Sequence, residues 1–126
     1  MEFKILLGEP YVSEYWKELE SKNSSNKIAG KEKIFFDKLL KALKFLSVNP
    51  KHNSLQTHEI EPLSKKYGMR IWQSYLENKV PAAGRIFWTY GPNKNEITIL
   101  AIEPHPNMKS RSYNFIKLSK FDVPKK

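Results

Sequence analysis

The chain has no cysteine, few glycines and no long apolar run, and each shortage excludes a class of protein or site. Without cysteine it cannot form disulfides, thiolate zinc sites, iron–sulfur clusters or a cysteine nucleophile. No apolar run approaches the ~20 residues that span a bilayer, and the first residues lack the pattern of a secretory signal. The five glycines form neither a phosphate-binding loop nor a dinucleotide fingerprint. We therefore expect a cytoplasmic protein that has no membrane partner and needs no cofactor.

Positive charge and aromatic rings are what the chain has in excess. Its 126 residues include 22 Lys and Arg against 13 Asp and Glu, a net charge of +9, and 13% of them are aromatic. Residues 31–66 carry eight basic and four acidic side chains, and residues 107–126 carry six and one. Cations neutralise phosphates and rings stack on bases, so this composition favours a nucleic-acid partner. The alternative explanation is that these lysines only keep a helix face and the tail solvated, which would give the same excess of positive charge.

A strand and two helices are predicted in the N-terminal part of the chain. Residues 3–7 form a short apolar run that ends at a glycine, as strands commonly do. Apolar residues at helical spacing predict a first helix over about residues 10–21, and the polar stretch 21–26 ends it. A second apolar stripe predicts a helix over about residues 31–49, because the residue before Pro50 avoids the α region.

Three strands are predicted in the second half, where β-branched and aromatic residues are frequent. They lie at residues 69–76, 85–90 and 96–103. Short turns join them, so we expect an antiparallel meander with one face covered by the helical hairpin. Residues 51–66 are polar and predict an extended connection, and residues 112–119 predict a final strand or short helix. The fold class is α+β in the order β-α-α-β-β-β, with one domain over residues 1–126 and a basic tail at 107–126.

Five segments stand out by their order and spacing along nearly the whole chain. They are Leu46-Ser-Val-Asn-Pro50, the connection from Leu55 to Leu63, Met69-Arg-Ile-Trp, Arg85-Ile-Phe-Trp-Thr-Tyr90 and Ile97-Thr-Ile-Leu-Ala-Ile-Glu-Pro-His105. Together they resemble the RelE/ParE superfamily of bacterial type II toxin–antitoxin systems. The resemblance implies a toxin that a cognate antitoxin neutralises. RelE-like members cleave mRNA in the ribosomal A site, whereas ParE-like members act on DNA gyrase, so both targets are open.

Metal-free RNA cleavage needs particular residue types. The ribose 2′-OH loses a proton, the phosphorane is stabilised by cations, and the 5′-oxygen takes up a proton. Histidine, glutamate, lysine and tyrosine can exchange these protons, and arginine can grip a phosphate with two parallel hydrogen bonds. Only Arg70, Arg85 and Arg111 accompany the nineteen lysines, so these arginines are candidates for the stabilising role.

The resemblance implies roles for four residues. Arg85, at the start of the middle meander strand, matches the arginine that RelE-like toxins use to hold the scissile phosphate. His105 matches the histidine that some branches use as general acid or base. Arg70 resembles the basic residue that the family places opposite the central arginine. Glu103 lies two residues before His105, on the same face of a regular strand, where it would orient the imidazole or simply face solvent.

Further basic and aromatic residues are candidates for contacts to RNA. They are Lys51, His52, His58, Lys65 and Lys66 in the polar connection, and Lys109, Arg111 and Tyr113 in the tail. Tyr75 is a candidate for base stacking, whereas Trp72, Phe87, Trp88 and Tyr90 are expected in the core. The histidines lack metal-ligand spacing such as H-E-x-x-H, so no metal site is predicted. The ribosome and mRNA are the expected partners of a nuclease. A gyrase inhibitor and a non-catalytic RNA-binding protein are the alternatives.

Overall fold

The structure is a computed structural model that describes residues 2–77 and 84–103. Within these residues, three α-helices and five strands form an α+β fold. In chain order the elements are β1 (Lys4–Leu7), α1 (Tyr11–Ser24), α2 (Gly30–Val48), β2 (His58–Glu59), α3 (Glu61–Tyr67), β3 (Trp72–Tyr75), β4 (Arg85–Tyr90) and β5 (Glu96–Glu103). A short 3₁₀ helix at Asn53–Leu55 precedes β2. The element predicted at 112–119 and the tail lie outside the described residues.

The strands form one mixed sheet in the order β1-β5-β4-β3-β2. The predicted meander is confirmed, because β4 runs antiparallel to both β3 and β5. β2 adds an antiparallel edge strand next to β3. β1 instead runs parallel to β5, with Lys4 opposite Glu96. No hairpin turn joins these two strands, so nothing forces them to be antiparallel. The antiparallel expectation therefore holds for β2 to β5 only.

The connection over residues 51–66 is not extended, which corrects the prediction from its polar composition. It contains the 3₁₀ helix, the two-residue strand β2 and most of α3. Each helical piece buries one leucine, since Leu55 and Leu63 are both 1% exposed. Gly68 adopts φ +67° at the end of α3 and terminates the helix. Isolated apolar residues in a polar segment thus mark short helices here.

Two element boundaries also differ from the sequence-based expectation. α1 continues to Ser24, beyond the expected end at residue 21. Its last turn is held by Lys22, whose Nζ lies 3.1 Å from Glu32 of α2 and 3.7 Å from Glu18. A polar segment with such partners can remain helical. β3 covers only Trp72–Tyr75 of the strand predicted at residues 69–76.

Alternation along the strands divides their side chains between two apolar layers. α1 and α2 cover one face, and the fully buried residues there include Leu19, Leu39, Leu46, Trp88, Ile97 and Ile99. α3 covers part of the other face, where Ile60, Leu63, Ile71, Phe87, Leu100 and Ala101 pack together. Trp72, Phe87 and Trp88 are buried as predicted. Tyr90 is 41% exposed, because it ends β4 at the rim of the sheet.

None of the helices in the described part of the chain has both the length and the apolarity that a membrane span requires.

Candidate active site on the sheet

Arg85 and four neighbours form a polar group on one face of the sheet. Arg85 begins β4 and stands directly opposite Tyr75 of β3 and Glu103 of β5. Gln73 lies two positions before Tyr75, and its partner in β2 is His58. Directly opposed residues have Cβ atoms about 4.5–5.5 Å apart, so Arg85 is a direct neighbour of Tyr75 and Glu103, and Gln73 is a direct neighbour of His58. The structure thus places three of the predicted site residues, Arg85, Glu103 and His58, on one face of the sheet.

The Arg85 guanidinium lies between an aromatic ring and an amide. Its Cζ is 5.2 Å from the centroid of Phe87, which packs with α3, so the polar group shares the α3 face. Its Nη1 donates a hydrogen bond of 3.1 Å to Gln73 Oε1. Arg85 is half-buried and Gln73 is 1% exposed. A guanidinium has five N–H donors, so it can bond to Gln73 and still bind a phosphate.

Gln73 connects Arg85 to the edge of the sheet. Its Nε2 lies 3.4 Å from His58 Nε2, and His58 Nδ1 lies 3.0 Å from the main-chain oxygen of Gln56. The His58 side chain is exposed, and its ring centroid is 6.1 Å from that of Tyr75. A hydrogen-bonded path therefore runs from Arg85 through a buried amide to an exposed imidazole.

Glu103 supplies the acidic side of the group. It is the last residue of β5, is 6% exposed and is the cross-strand partner of Arg85. Opposite charges that face each other across two strands attract, which helps to fix the Arg85 end of β4. This carboxylate is thus part of the interior of the protein rather than a solvent-facing surface group.

A second path, on the face covered by α1 and α2, holds β2 in place. Thr57 Oγ1 donates to the Pro50 carbonyl oxygen at 2.6 Å and lies 2.7 Å from Ser74 Oγ. Since the Thr57 hydrogen is used, Ser74 donates to Thr57, and Ser74 Oγ accepts the Trp88 Nε1 hydrogen at 2.8 Å. The strand that carries His58 is therefore fastened to β3 on both faces of the sheet.

Arg70 and Lys51 lie apart from Arg85. Arg70 precedes Tyr75, the partner of Arg85, by five positions of mostly extended chain, or about 16 Å. The Arg70 Cζ and the Lys51 Nζ lie 4.7 and 3.5 Å from the Trp72 ring centroid, on the face opposite Gln73. Arg70 also donates two hydrogen bonds to Glu59, at 3.1 and 3.3 Å. The expected placement of Arg70 opposite the central arginine is therefore not found.

The Arg70–Glu59 pair is exposed and changes the acidity of its carboxyl group. The hydrogen bond from Arg70 lowers the pKa of Glu59 below its ordinary value, with a further contribution from Ser64. The side chain of Arg70 is 70% exposed. An ion pair in this position organises the sheet rim, whereas a phosphate would have to compete with Glu59 for the guanidinium.

The other predicted contacts in the connection are dispersed. The His52 ring stacks on Phe45 with centroids 4.5 Å apart, and its Nδ1 accepts the Ser54 N–H at 3.1 Å. His52 therefore caps the 3₁₀ helix. Lys65 and Lys66 are exposed on α3, which packs on the same face as Arg85. These two lysines are thus carried by the helix that covers the Arg85 face, whereas Lys51 lies over Trp72 on the other face.

Four of the predicted site residues lie outside the described residues: His105, Lys109, Arg111 and Tyr113.

Sequence reasoning missed Gln73 and Ser74, which neither charge nor motif singles out. Both lie in β3 between two aromatic residues, so the alternation of the strand assigns them to opposite faces. Their burial, 1% and 0% exposed, was the missing information. A buried polar side chain needs a hydrogen-bond partner, and each of these side chains has one on a neighbouring strand.

A cavity of about 330 Å³ lies beside α2, and Arg85 is not among the residues that line it. It is lined by Lys38, Lys41, Phe45, Ser54, Leu55, Leu76 and Glu77. Lys38 forms a short ion pair with Glu77 across it. The polar group around Arg85 is therefore a surface of the sheet and not part of this cavity.

Within residues 2–77 and 84–103, no group of three or more His, Asp or Glu side chains is placed to hold a metal ion.

The comparisons with known proteins give no match. No protein-family model matches the chain, and no curated protein matches its sequence. The fold defines an α+β protein with a mixed five-stranded sheet. Any function must be argued from the polar group itself.

Proposed function

We propose that this protein is the toxin of a type II toxin–antitoxin system and that it cleaves mRNA on the ribosome. The carrying observation is the position of Arg85, which has Glu103 and Tyr75 on either side and a hydrogen-bonded path to His58. A cation, an imidazole and a carboxylate on one sheet face are the groups that metal-free RNA cleavage uses.

The reaction proposed is attack of the ribose 2′-oxygen on the adjacent phosphorus. Arg85 binds the phosphate and stabilises the charge that develops on its oxygens in the transition state. The 2′-OH gives its proton to a base, the P–O5′ bond breaks, and the 5′-oxygen takes a proton. By resemblance, His105 is the acid or base and Glu103 orients it. The products are a 2′,3′-cyclic phosphate and a 5′-hydroxyl end.

The charge of the chain suits the ribosome as partner. The net charge of +9 attracts ribosomal RNA, and exposed Lys65 and Lys66 on α3 lie on the same face as Arg85. Charge of one sign raises the rate of association with a polyanion and makes binding salt-dependent. An antitoxin is required in the cell because free toxin would arrest translation.

The test is expression without an antitoxin, followed by mapping of mRNA ends on purified ribosomes. Wild-type protein is expected to stop growth and to yield 2′,3′-cyclic phosphate ends. The Arg85→Ala, His105→Ala double variant is expected to be harmless, whereas the Lys17→Ala control, an exposed site on α1, keeps full toxicity. An mRNA with a 2′-deoxy residue at the cut position should resist cleavage. Undiminished toxicity of the double variant would refute the nuclease.

A non-catalytic RNA-binding protein is the second candidate, and the Lys51–Arg70–Trp72 group favours it. Two cations lie over one ring at a site remote from Arg85. Intact RNA bound with a steep salt dependence, without any cut ends, would identify that function. DNA breaks that require gyrase would instead identify a ParE-like inhibitor.

A further inference from the structure

We propose that Gln73 is a positioning residue that holds His58 as the proton acceptor of the cleavage reaction, next to Arg85. The inference rests on the proposed function, because it names the group that takes the proton from the 2′-OH. It adds to that function a second histidine, on the edge strand β2, and a buried amide that sets the histidine's tautomer.

Only one arrangement of hydrogens satisfies the path from Arg85 to Gln56. A guanidinium has donors only, so Gln73 must turn its Oε1 towards Arg85 and its NH₂ towards His58. His58 Nε2 must then be an acceptor. Its Nδ1 carries the hydrogen and donates it to the Gln56 carbonyl oxygen. Because the Arg85 guanidinium can only donate, it fixes the orientation of the Gln73 amide, and the amide in turn fixes which nitrogen of His58 is unprotonated.

Burial prevents the amide from adopting the opposite orientation. Gln73 is 1% exposed, so a flipped amide would turn its NH₂ towards the donor of Arg85 without water to compensate. The contact of 3.4 Å between Gln73 and His58 is longer than the bond between Gln73 and Arg85, and it is therefore the weaker of these two. A 2′-OH that donates to His58 Nε2 can replace the weak bond, while the 3.1 Å bond to Arg85 is kept.

The spacing suits one phosphodiester. Two hydrogen bonds and one amide group separate Arg85 Nη1 from His58 Nε2, so these atoms are no more than about 9 Å apart. A phosphate bound to Arg85 at about 2.8 Å, with its neighbouring 2′-OH bonded to His58, spans a similar length. Tyr75, whose ring is 6.1 Å from that of His58, lies beside this position.

The chemical step balances with these groups. The 2′-OH proton goes to His58 Nε2 as the O2′–P bond forms, and Arg85 stabilises the pentacoordinate phosphate. The P–O5′ bond then breaks, and the 5′-oxygen leaves with a proton from water or from a second side chain such as His105. His58 later returns its proton to solvent. The net reaction needs neither a metal ion nor a redox partner.

Nitrogen NMR of the free protein tests the positioning without any RNA. At a pH well above the ordinary imidazole pKa of about 6.5, His58 should show the Nδ1–H tautomer. His52 is an internal reference, because its Nδ1 accepts the Ser54 N–H and its hydrogen is therefore on Nε2. Gln73→Glu should move the hydrogen of His58 to Nε2, which then faces the new carboxylate, and leave His52 unchanged. An Nε2–H tautomer of His58 in the wild type would overturn the proposal.

Cleavage assays on ribosomes supply the second arm. His58→Ala should lower the single-turnover cleavage rate at saturating ribosome concentration about 10²–10⁴-fold, which separates the loss of the base from any loss of an RNA contact. Gln73→Glu still accepts from Arg85 but places a negative charge beside it, so phosphate binding should weaken, and at saturating ribosome concentration the cleavage rate should fall as that of His58→Ala does. Wild-type cleavage by Gln73→Glu would mean that Gln73 serves Arg85 alone and would overturn the role of His58. If wild-type protein shows the Nδ1–H tautomer but never cuts RNA, the proposed function fails while the positioning stands.

Discussion

The buried hydroxyl of Ser74 accepts the indole hydrogen of Trp88 at 2.8 Å, and both side chains are 0% exposed. Ser74 also donates to Thr57, which leads the chain into β2. One hydroxyl thus links the aromatic core to the edge strand that carries His58. The stability of the sheet and the position of the candidate site therefore depend on the same side chain.

Ser74→Ala is expected to lower the free energy of unfolding by about 1–3 kcal/mol, because the buried Trp88 Nε1–H loses its acceptor and the half-buried Thr57 hydroxyl loses a donor. Urea unfolding followed by tryptophan fluorescence measures this value. Ser47→Ala is the matched control, since that hydroxyl bonds only to the Lys44 carbonyl oxygen of its own helix among the contacts found for it. The control is expected to change stability by at most about 0.5 kcal/mol. Equal effects of the two substitutions would contradict the role of the Ser74 link.

Gly84→Ala should be strongly destabilising, because Gly84 adopts φ +119° directly before Arg85. An added Cβ would lie 2.8 Å from both Leu76 Cδ1 and Phe35 Cε1, and 2.9 Å from the main-chain oxygen of Glu103. Overpacking of this kind costs about 1–3 kcal/mol, to which the cost of the positive φ is added.

Gly68→Ala separates these two costs. Gly68 has φ +67°, but a Cβ there meets no atom within 4 Å. We expect Gly68→Ala to lower the free energy of unfolding by only the cost of the positive φ, about 1–2 kcal/mol. Thermal or urea unfolding of both variants measures the difference. A Gly84→Ala protein as stable as Gly68→Ala would contradict the prediction, because it would show that Leu76 and Phe35 move aside without loss of stability.

Arg85→Lys tests the arginine geometry apart from its charge. A lysine ammonium keeps the positive charge but lacks the planar fork, so it cannot bond to Gln73 and grip a phosphate as arginine does. We expect cleavage to fall about 10²–10³-fold, while ribosome binding at low salt changes little. Single-turnover rates and a salt titration measure the two quantities. A lysine variant with the wild-type rate would show that charge alone suffices.

The position of Arg85 could be predicted from the sequence, whereas its hydrogen-bond partner could not. Two segments rich in β-branched and aromatic residues, 85–90 and 96–103, joined by a short turn, predict a hairpin, and in the structure this hairpin places Glu103 opposite Arg85. The partner strand was predicted too, but the role of Gln73 depends on register and burial. A shift of one residue would turn Gln73 to the other face of the sheet.

The two short elements β2 and α3 could not be predicted from the sequence either. β2 has two residues, too few for any periodicity, and α3 has seven, of which one apolar side chain is fully buried. Their formation depends on tertiary contacts, such as the Thr57–Ser74 bond and the burial of Leu63. For the same reason His58 is predicted from the sequence only as a possible RNA contact in an extended segment. Arg70 is expected opposite Arg85, whereas the structure places it beside Trp72.

Arg70→Ala should raise the pKa of Glu59 towards its ordinary value. The hydrogen bond from Arg70 is the largest cause of the lowered pKa, so its loss removes most of the shift. Because the folded-state pKa is depressed, the pair stabilises the fold above the unfolded carboxyl pKa and loses this effect as pH falls through the folded pKa. Carbon NMR titration of the Glu59 carboxyl measures it. An unchanged pKa in the variant would contradict the observed pair.

The phenol of Tyr15 makes the stability of the fold sensitive to alkaline pH. Burial between the helices, with smaller contributions from Glu32 and Glu18, raises the pKa of Tyr15 to about 12. An unfolded tyrosine ionises near pH 10, so the unfolded state gains stability first and unfolding becomes easier between about pH 10 and 12. The free energy of unfolding therefore falls with pH in this range, and Tyr15→Phe should make that fall less steep by up to about 1.4 kcal/mol per pH unit. The control Tyr11→Phe, which is 45% exposed, should leave it unchanged. Urea unfolding at several pH values above 9 measures the slopes, and equal slopes for Tyr15→Phe and wild type would refute the prediction.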